Sequence, residues 1–159
     1  MANHPNPVFM KRAIDLATEN VRSAAGGPFA ALIVKDGVIV AEAANTVTAT
    51  NDPTAHGEIN AIRKACAALN TFSLKGCEMY TSSEPCPMCL AASYWAHLEV
   101  VYFGNDCEAA ARAGFGDAFL YHEFKLDREA RTLPAKQLMQ DEAWESFQVW
   151  QETPNKVEY

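Results

Sequence analysis

The sequence has no long apolar run and no recognisable export segment. No apolar stretch approaches the roughly 18 residues that a membrane-spanning helix needs. Residues 1–7 lack both the positively charged start and the apolar stretch of a secretory signal peptide. Both absences argue against a membrane or secreted protein, and we expect a cytoplasmic one.

Basic residues are also scarce. Thirteen Lys and Arg stand against 20 Asp and Glu, which gives a net charge of −7 and a pI near 5.0. A protein that binds nucleic acid regardless of base sequence needs a basic surface to neutralise phosphates. The charge balance argues against that class, so we expect no nucleic-acid partner, and the lack of a long apolar run likewise argues against a membrane partner.

Cysteines are few and odd in number. There are five, at positions 66, 77, 86, 89 and 107. In a chain of this length without an export signal, a disulfide framework is improbable. The cysteines are therefore better candidates for metal ligands or catalytic groups.

The remaining composition is that of an ordinary globular domain. The 159 residues, 49% of them hydrophobic and 21% charged, suit one domain over residues 1–159. Asn6 and Pro7 predict the start of a first helix, as N-cap and first helical residue. Asp36 and Gly37, between two apolar runs, predict a hairpin turn.

Helical and extended patterns alternate after this hairpin. Asp52 and Pro53 predict the start of a second helix, because an acidic N-cap followed by proline is a common way to begin one. The later elements are predicted as strands at 77–81 and 98–103 and helices at 87–96, 108–113 and 136–150. A hairpin followed by alternating helices and strands predicts an α/β fold, a three-layer α/β/α sandwich with a mixed central sheet.

Two short motifs point to metal chemistry. His56 and Glu58 form an H-x-E pair, and a P-C-x-x-C motif containing Cys86 and Cys89 follows. In this order and at predicted helix starts, they match the H-x-E…P-C-x-x-C signature of zinc deaminases. Zinc prefers thiolate and imidazole ligands, and a catalytic site supplies three and leaves one position for water. The motifs predict a zinc ion held by His56, Cys86 and Cys89, with Glu58 as a non-ligand acid and base.

A structural zinc site is the alternative. In that case Cys66, Cys77 or Cys107 would complete a four-ligand set, and the protein would be a non-catalytic, zinc-stabilised module. Cys66 falls on an apolar helix face and Cys77 in a predicted strand, where a free cysteine packs as a small hydrophobe. Only the catalytic interpretation gives Glu58 a role.

The motifs and their neighbours resemble the cytidine-deaminase-like zinc hydrolases, and more narrowly the short bacterial guanine deaminases. The resemblance covers nearly the whole chain, and its segments lie at 26–29, 51–56, 84–90, 94–96, 113–117, 147–150 and 158–159. The H-x-E and C-x-x-C pairs are shared by the whole superfamily. The Gly-Phe-x-Asp stretch at 114–117 and the aromatic carboxy terminus are what indicate the guanine branch. Three positions depart from the expected pattern: Gly57, Ser83 and Gly116.

The resemblance implies an activity and a metal centre. The reaction would be the zinc-dependent hydrolytic deamination of guanine to xanthine and ammonia, a step of purine catabolism or salvage. One zinc ion with a bound water or hydroxide would be held by His56, Cys86 and Cys89, and His56 would also contact substrate. Glu58 would be catalytic, moving a proton from the water to the substrate.

The resemblance also implies the residues that bind the purine. Asp117 would be a second catalytic residue, accepting a hydrogen bond from an N–H of the substrate. Asn45 offers a donor and an acceptor to a purine edge. Phe29 and Trp95 would wall a flat apolar slot, and Tyr159 would be a lid residue.

Assembly and substrate choice leave alternatives open. The resemblance implies a homodimer in which a C-terminal segment, residues 135–159, packs on or swaps with the other subunit. The aromatic stripe of Trp144, Phe147 and Trp150 suits that role. Guanosine, another nucleoside or another base remains an alternative substrate, and tRNA adenosine a less favoured one because the chain is acidic.

Overall fold

The computed structural model describes residues 4–158, except for the side chain of Asp117. In chain order the elements are α1 (Pro7–Arg22), β1 (Ala30–Lys35), β2 (Val38–Ala44), α2 (Val47–Thr50), α3 (Gly57–Leu69), β3 (Cys77–Ser83), α4 (Pro87–Trp95), β4 (Val100–Asn105), α5 (Cys107–Arg112), α6 (Asp117–Glu123) and α7 (Gln140–Glu152). The chain divides into two compact units, one ending at Asp117 and the other starting at Ala118.

The start of the first unit follows the local sequence signals. The Asn6 side chain accepts a hydrogen bond from the Val8 N–H at 2.9 Å, and Pro7 is the first residue of α1. β1 and β2 pair antiparallel around Asp36 and Gly37, both of which have a positive φ. A two-residue turn of that hand matches the right-handed twist of the strands. The predicted helix start and hairpin are confirmed.

The four strands form one mixed sheet in the order β2-β1-β3-β4. β1 pairs antiparallel with β3, with Leu32 opposite Tyr80. β4 pairs parallel with β3, with Tyr102 opposite Tyr80, because α4 carries the chain back between these two strands. The mixed sheet predicted from the sequence is confirmed.

Helices cover both faces of this sheet. On one face Ala13 of α1 packs against Leu32, and on the other Ala61 of α3 packs against Ile33 and Met79. Leu32 and Ile33 are neighbours in β1 and point to opposite faces, as the period of two in a strand requires. The sheet and its helices form the predicted three-layer α/β/α arrangement.

The predicted start of the second helix is wrong. The Asp52 side chain accepts hydrogen bonds from the Thr54 N–H at 2.8 Å and from the Thr54 hydroxyl at 2.7 Å. Asp52 thus stabilises a local turn, which competes with helix capping for the same side chain. α3 begins at Gly57 instead, with His56 as its N-cap. Two short helices, α2 and α6, were also not predicted.

The second unit contains α7 and an ordered connection before it. The Glu123 carboxylate accepts hydrogen bonds from the Thr132 N–H and hydroxyl, each at 2.7 Å. α7 has no buried residue, and its Trp144, Phe147 and Trp150 are all exposed. Among residues 4–158, no helix combines the length and apolar character needed to cross a membrane.

Candidate metal and purine site

His56 and Cys86 occupy equivalent positions at the starts of two helices. Each is an N-cap with extended backbone, His56 before α3 and Cys86 before α4. Cys89 follows within the first turn of α4 and is fully buried. Ile59 of α3 packs against both cysteines, so the two helix starts are held together by apolar contact. Residues thirty positions apart in the chain are thereby brought to one place.

The three side chains form a compact cluster of possible metal ligands. The His56 Nδ1 atom lies 3.6 Å from Cys86 Sγ and 3.5 Å from Cys89 Sγ, and all three atoms lie within 4.8 Å of one another. Two thiols and an imidazole are the donor set that zinc prefers. Over the described part of the chain, this is the one such cluster of His, Cys, Asp and Glu side chains. Cys66, Cys77 and Cys107 do not belong to it.

The two thiols influence each other's protonation. The hydrogen bond from Cys89, with help from His56, lowers the pKa of Cys86 to about 4 despite its burial. The same hydrogen bond and burial raise the pKa of Cys89. These opposite directions favour the thiolate form at Cys86, and thiolate is the form that binds metal.

Glu58 is buried beside this cluster. Loss of hydration raises the pKa of its carboxyl to about 7, and the charge of Cys86 adds to the effect. Because His56 precedes α3 and Glu58 lies in its first turn, both side chains line the same cavity. A carboxyl with a pKa near neutrality can both accept and donate a proton.

The cavity that holds these groups has a volume of about 400 Å³, within the range of small-molecule sites. Phe29 and Asn45, two of the proposed substrate contacts, line it together with His56, Glu58 and Cys86. The ring of Phe29 meets that of Phe115 edge to face at 4.7 Å. The Asn45 N–H donates to Phe29 O at 2.8 Å, and its side-chain oxygen accepts from the Val47 N–H at 3.2 Å.

Of the other predicted substrate contacts, Trp95 does not line this cavity, and two more lie outside what the structure describes. Trp95 ends α4, is 69% exposed and does not line the cavity. Asp117 begins α6, but its side chain lies outside what the structure describes. Tyr159 lies outside the described residues altogether.

Apart from three glycines, four lining residues were not predicted as site residues: Val47, Thr48, Glu84 and Phe115. Val47 and Thr48 belong to the unpredicted α2, and no local signal marks them. Glu84 directly precedes the P-C-x-x-C motif, so its position was a usable signal. Its carboxylate accepts a hydrogen bond from the Cys107 N–H at 2.9 Å and so joins the motif to the start of α5.

Comparison with known proteins agrees with this geometry. Residues 5–105 match the family described as the cytidine and deoxycytidylate deaminase zinc-binding region. The chain is 51% identical over 151 residues to the guanine deaminase of Bacillus subtilis, covering 95% of this chain and 97% of that protein. It is 49% identical over 76 residues to a tRNA-specific adenosine deaminase of Aquifex aeolicus, covering 48% and 50% of the two chains.

The fold comparison extends this similarity to three dimensions. The X-ray structure of guanine deaminase from Bacillus subtilis superposes with a TM-score of 0.95 at 49% identity, covering 98% of this chain and 99% of that one. The similarity therefore includes the second unit, which lies beyond the matched family region.

Proposed function

The chain belongs to the cytidine and deoxycytidylate deaminase family, and from this membership we propose that it hydrolyses guanine to xanthine and ammonia. The observation that carries the proposal is a His56–Cys86–Cys89 ligand cluster with a buried carboxyl, Glu58, in one cavity of small-molecule size. Near full-length similarity to the Bacillus subtilis guanine deaminase supports guanine as the substrate.

We propose that His56, Cys86 and Cys89 hold one zinc ion. A bound zinc ion would supply Lewis acidity and lower the pKa of water. The fit rests on the donor set itself, two buried thiols and an imidazole nitrogen within 4.8 Å of one another.

Glu58 carries the proton transfers in this proposal. Its carboxylate takes a proton from the attacking water as the oxygen bonds to C2 of guanine. The carboxyl gives this proton to the ring nitrogen next to C2. It then takes the remaining hydroxyl proton and passes it to the amine, so the C2–N bond breaks, ammonia leaves and the C2 carbonyl of xanthine forms. Burial favours this cycle because it raises the pKa of Glu58 to about 7. At that value the side chain both accepts and donates a proton near neutral pH.

Asn45 and Phe29 are proposed to hold the purine. The Asn45 amide has a donor and an acceptor for the polar edge of the base, and the Phe29 ring offers an apolar contact to its face. Asp117, Trp95 and Tyr159 complete the proposed set on the strength of the family resemblance. His56 is proposed to contact substrate as well as metal, since it lines the cavity.

A homodimer with packed or exchanged C-terminal segments, residues 135–159, belongs to the same proposal. The exposed aromatic residues of α7 support it, since a monomer would leave them in water. A place in purine catabolism, a cytoplasmic location and the lack of a nucleic-acid partner are further parts of the proposal, the last resting on the net charge of −7.

The proposal is tested by measuring ammonia release from guanine, guanosine, cytosine, cytidine and adenine, with metal analysis of the same preparation. We expect guanine to be preferred and about one zinc ion per chain. A preference for guanosine or cytosine would reject the substrate while leaving a zinc deaminase. If none of these compounds releases ammonia, or if a fourth protein side chain binds the metal, the proposal that the protein is a deaminase is rejected.

A further inference from the structure

A buried asparagine outside the cavity ties together the parts of the chain that form its purine-binding wall. Asn20 lies near the end of α1 and is only 8% exposed. Its side-chain amide donates to Gly27 O at 2.8 Å and to Asn45 O at 2.9 Å. One amide nitrogen thus donates its two hydrogens to backbone carbonyls in two separate loops.

Both acceptors belong to residues that line the cavity. Gly27, Phe29 and Asn45 all line the cavity, and Phe29 is hydrogen-bonded to the other two. The Phe29 N–H donates to Gly27 O at 2.9 Å, and the Asn45 N–H donates to Phe29 O at 2.8 Å. Asn20, Gly27, Phe29 and Asn45 therefore form a closed set of hydrogen bonds, which we call the asparagine clamp.

The clamp is packed so closely that it leaves no room for a side chain at Gly26. A Cβ atom there would lie 2.3 Å from Asn45 O and 2.9 Å from Asn20 Nδ2. The contact with the carbonyl is well below any normal van der Waals separation, and the atom it meets is backbone. Asn20 and Gly26 thus both meet the Asn45 backbone at its carbonyl oxygen.

We propose that Asn20 is a positioning residue for the purine site: it fixes Asn45 relative to Phe29, and so sets the affinity for the base without touching it. This inference rests on the proposed function, in which Asn45 and Phe29 contact the substrate. Loss of the donor removes the side-chain hydrogen bond to the Asn45 carbonyl and leaves the Gly27 carbonyl with the Phe29 N–H alone, and an aspartate places an acceptor against both carbonyls. Either change lets the two loops separate.

The effect appears in binding more than in chemistry. Asn45 and Phe29 hold the edge and face of the base, while Glu58 and the ligand cluster act on its reacting atoms. A contact that is equally strong in the ground state and the transition state changes KM and leaves kcat alone. We therefore expect KM to rise by at least tenfold in Asn20→Asp, with kcat within about threefold of wild type.

The experiment compares wild type with Asn20→Asp and Asn20→Ala, and with Gly26→Ala, which crowds the Asn45 carbonyl oxygen directly. Each protein is assayed for KM, kcat, the inhibition constant of the product xanthine, zinc content and Tm. Leu16→Ala is the matched control, because Leu16 packs from α1 onto the sheet core and does not line the cavity. It should lower Tm and leave KM unchanged.

The inference is supported if the Asn20 and Gly26 variants raise KM and the xanthine constant together at normal zinc content. It is overturned if both Asn20 variants keep the wild-type KM. It is also overturned if Leu16→Ala, at the same loss of Tm, raises KM as much as the Asn20 variants do. If Asn20→Asp does not fold, Asn20→Ala and Gly26→Ala decide the question. A failure of the proposed function is distinguishable from a failure of this inference, because the wild-type enzyme would then show no preference for guanine. The same KM comparison is then made with whichever heterocycle wild type deaminates.

Discussion

At the scale of single residues, Glu58 illustrates how burial prepares a carboxyl for acid–base work. Its removal from water raises the pKa to about 7, where either protonation state is accessible. The neighbouring Glu84 lines the same cavity, but its carboxylate accepts the Cys107 N–H and joins two segments of chain. Two carboxylates in one cavity thus have different surroundings, and of the two only Glu58 is proposed as the acid and base.

Glu58→Gln should therefore keep its metal and lose most of its turnover. Glutamine preserves the shape of the side chain but cannot exchange a proton, and such transfer contributes about 10²–10⁴-fold to rate. The measurement is kcat with guanine alongside zinc content by atomic absorption. Glu84→Gln is the matched control and should lose less activity. Near wild-type turnover in Glu58→Gln would remove this residue from the mechanism.

Gly57, one of the departures from the expected family pattern, lies beside the cluster of possible metal ligands and close to β1. A Cβ atom at this position would lie 2.9 Å from Ala30 Cα and 3.2 Å from Phe29 O. Both neighbours are backbone, so they cannot rotate away. The start of α3 approaches β1 closely enough to exclude even a methyl group.

We expect Gly57→Ala to lower the free energy of unfolding by about 1–3 kcal/mol, the usual range for overpacking. The better helix propensity of alanine is worth at most about 1 kcal/mol and does not offset the clash. Urea denaturation measures the difference. Gly116→Ala is the control, because a Cβ there would meet nothing within 4 Å. Equal stability of the two variants would contradict the prediction.

At the scale of elements, the connection between α6 and α7 depends on one ionised side chain. Hydrogen bonds from the Thr132 hydroxyl and N–H lower the pKa of Glu123. A carboxyl with a lowered folded-state pKa contributes stability above its unfolded pKa, about 4.3, and loses it as the pH falls through the folded value.

Protection of the Thr132 amide against hydrogen exchange should accordingly decline in acid. The measurement is the protection factor from pH 7 to pH 3, corrected for intrinsic exchange. Glu123→Gln should have a lower and flatter profile, since its side chain stays neutral throughout. A wild-type profile with no dependence on pH over this range would show that the carboxylate does not hold the connection.

Elements set by neighbouring residues were predictable from the sequence. Asn6 with Pro7 fixed the start of α1, and Asp36 with Gly37 fixed the hairpin, because each signal acts within its own turn. Asp52 misled because capping and turn formation use the same side-chain oxygen, and only the surrounding fold decides between them. Local sequence signals therefore predicted an element correctly where the residues favour a single local structure.

In the candidate site, too, the residues set by local motifs were predictable and those set by long-range contacts were not. The two metal-ligand motifs were visible because zinc chemistry demands particular residue types at fixed spacing. Val47, Thr48 and Asn20 were not visible, because valine, threonine and asparagine are common and their importance arises from long-range contact. The exposure of Trp95 likewise depends on how α4 ends against the rest of the unit.

At the scale of the whole molecule, the exposed aromatic face of α7 predicts association. We expect a dimer at micromolar concentration, because Trp144 and Phe147 gain from leaving water. Light scattering measures the mass. Trp144→Ser with Phe147→Ser should shift the protein toward monomer, whereas Phe72→Ser, at an exposed aromatic residue in the first unit, should not. A monomeric wild type would reject the prediction.

The closeness of Gly26 to Asn45 O has a consequence for how such sequences evolve. A mutation that gives residue 26 a side chain is rejected while Asn20 holds both loops together. If Asn20 is lost and the loops separate as proposed, we expect the Asn45 carbonyl to move away and residue 26 to tolerate a side chain. Lineages should therefore retain the two positions jointly or abandon them in a fixed order, with the asparagine replaced before the glycine.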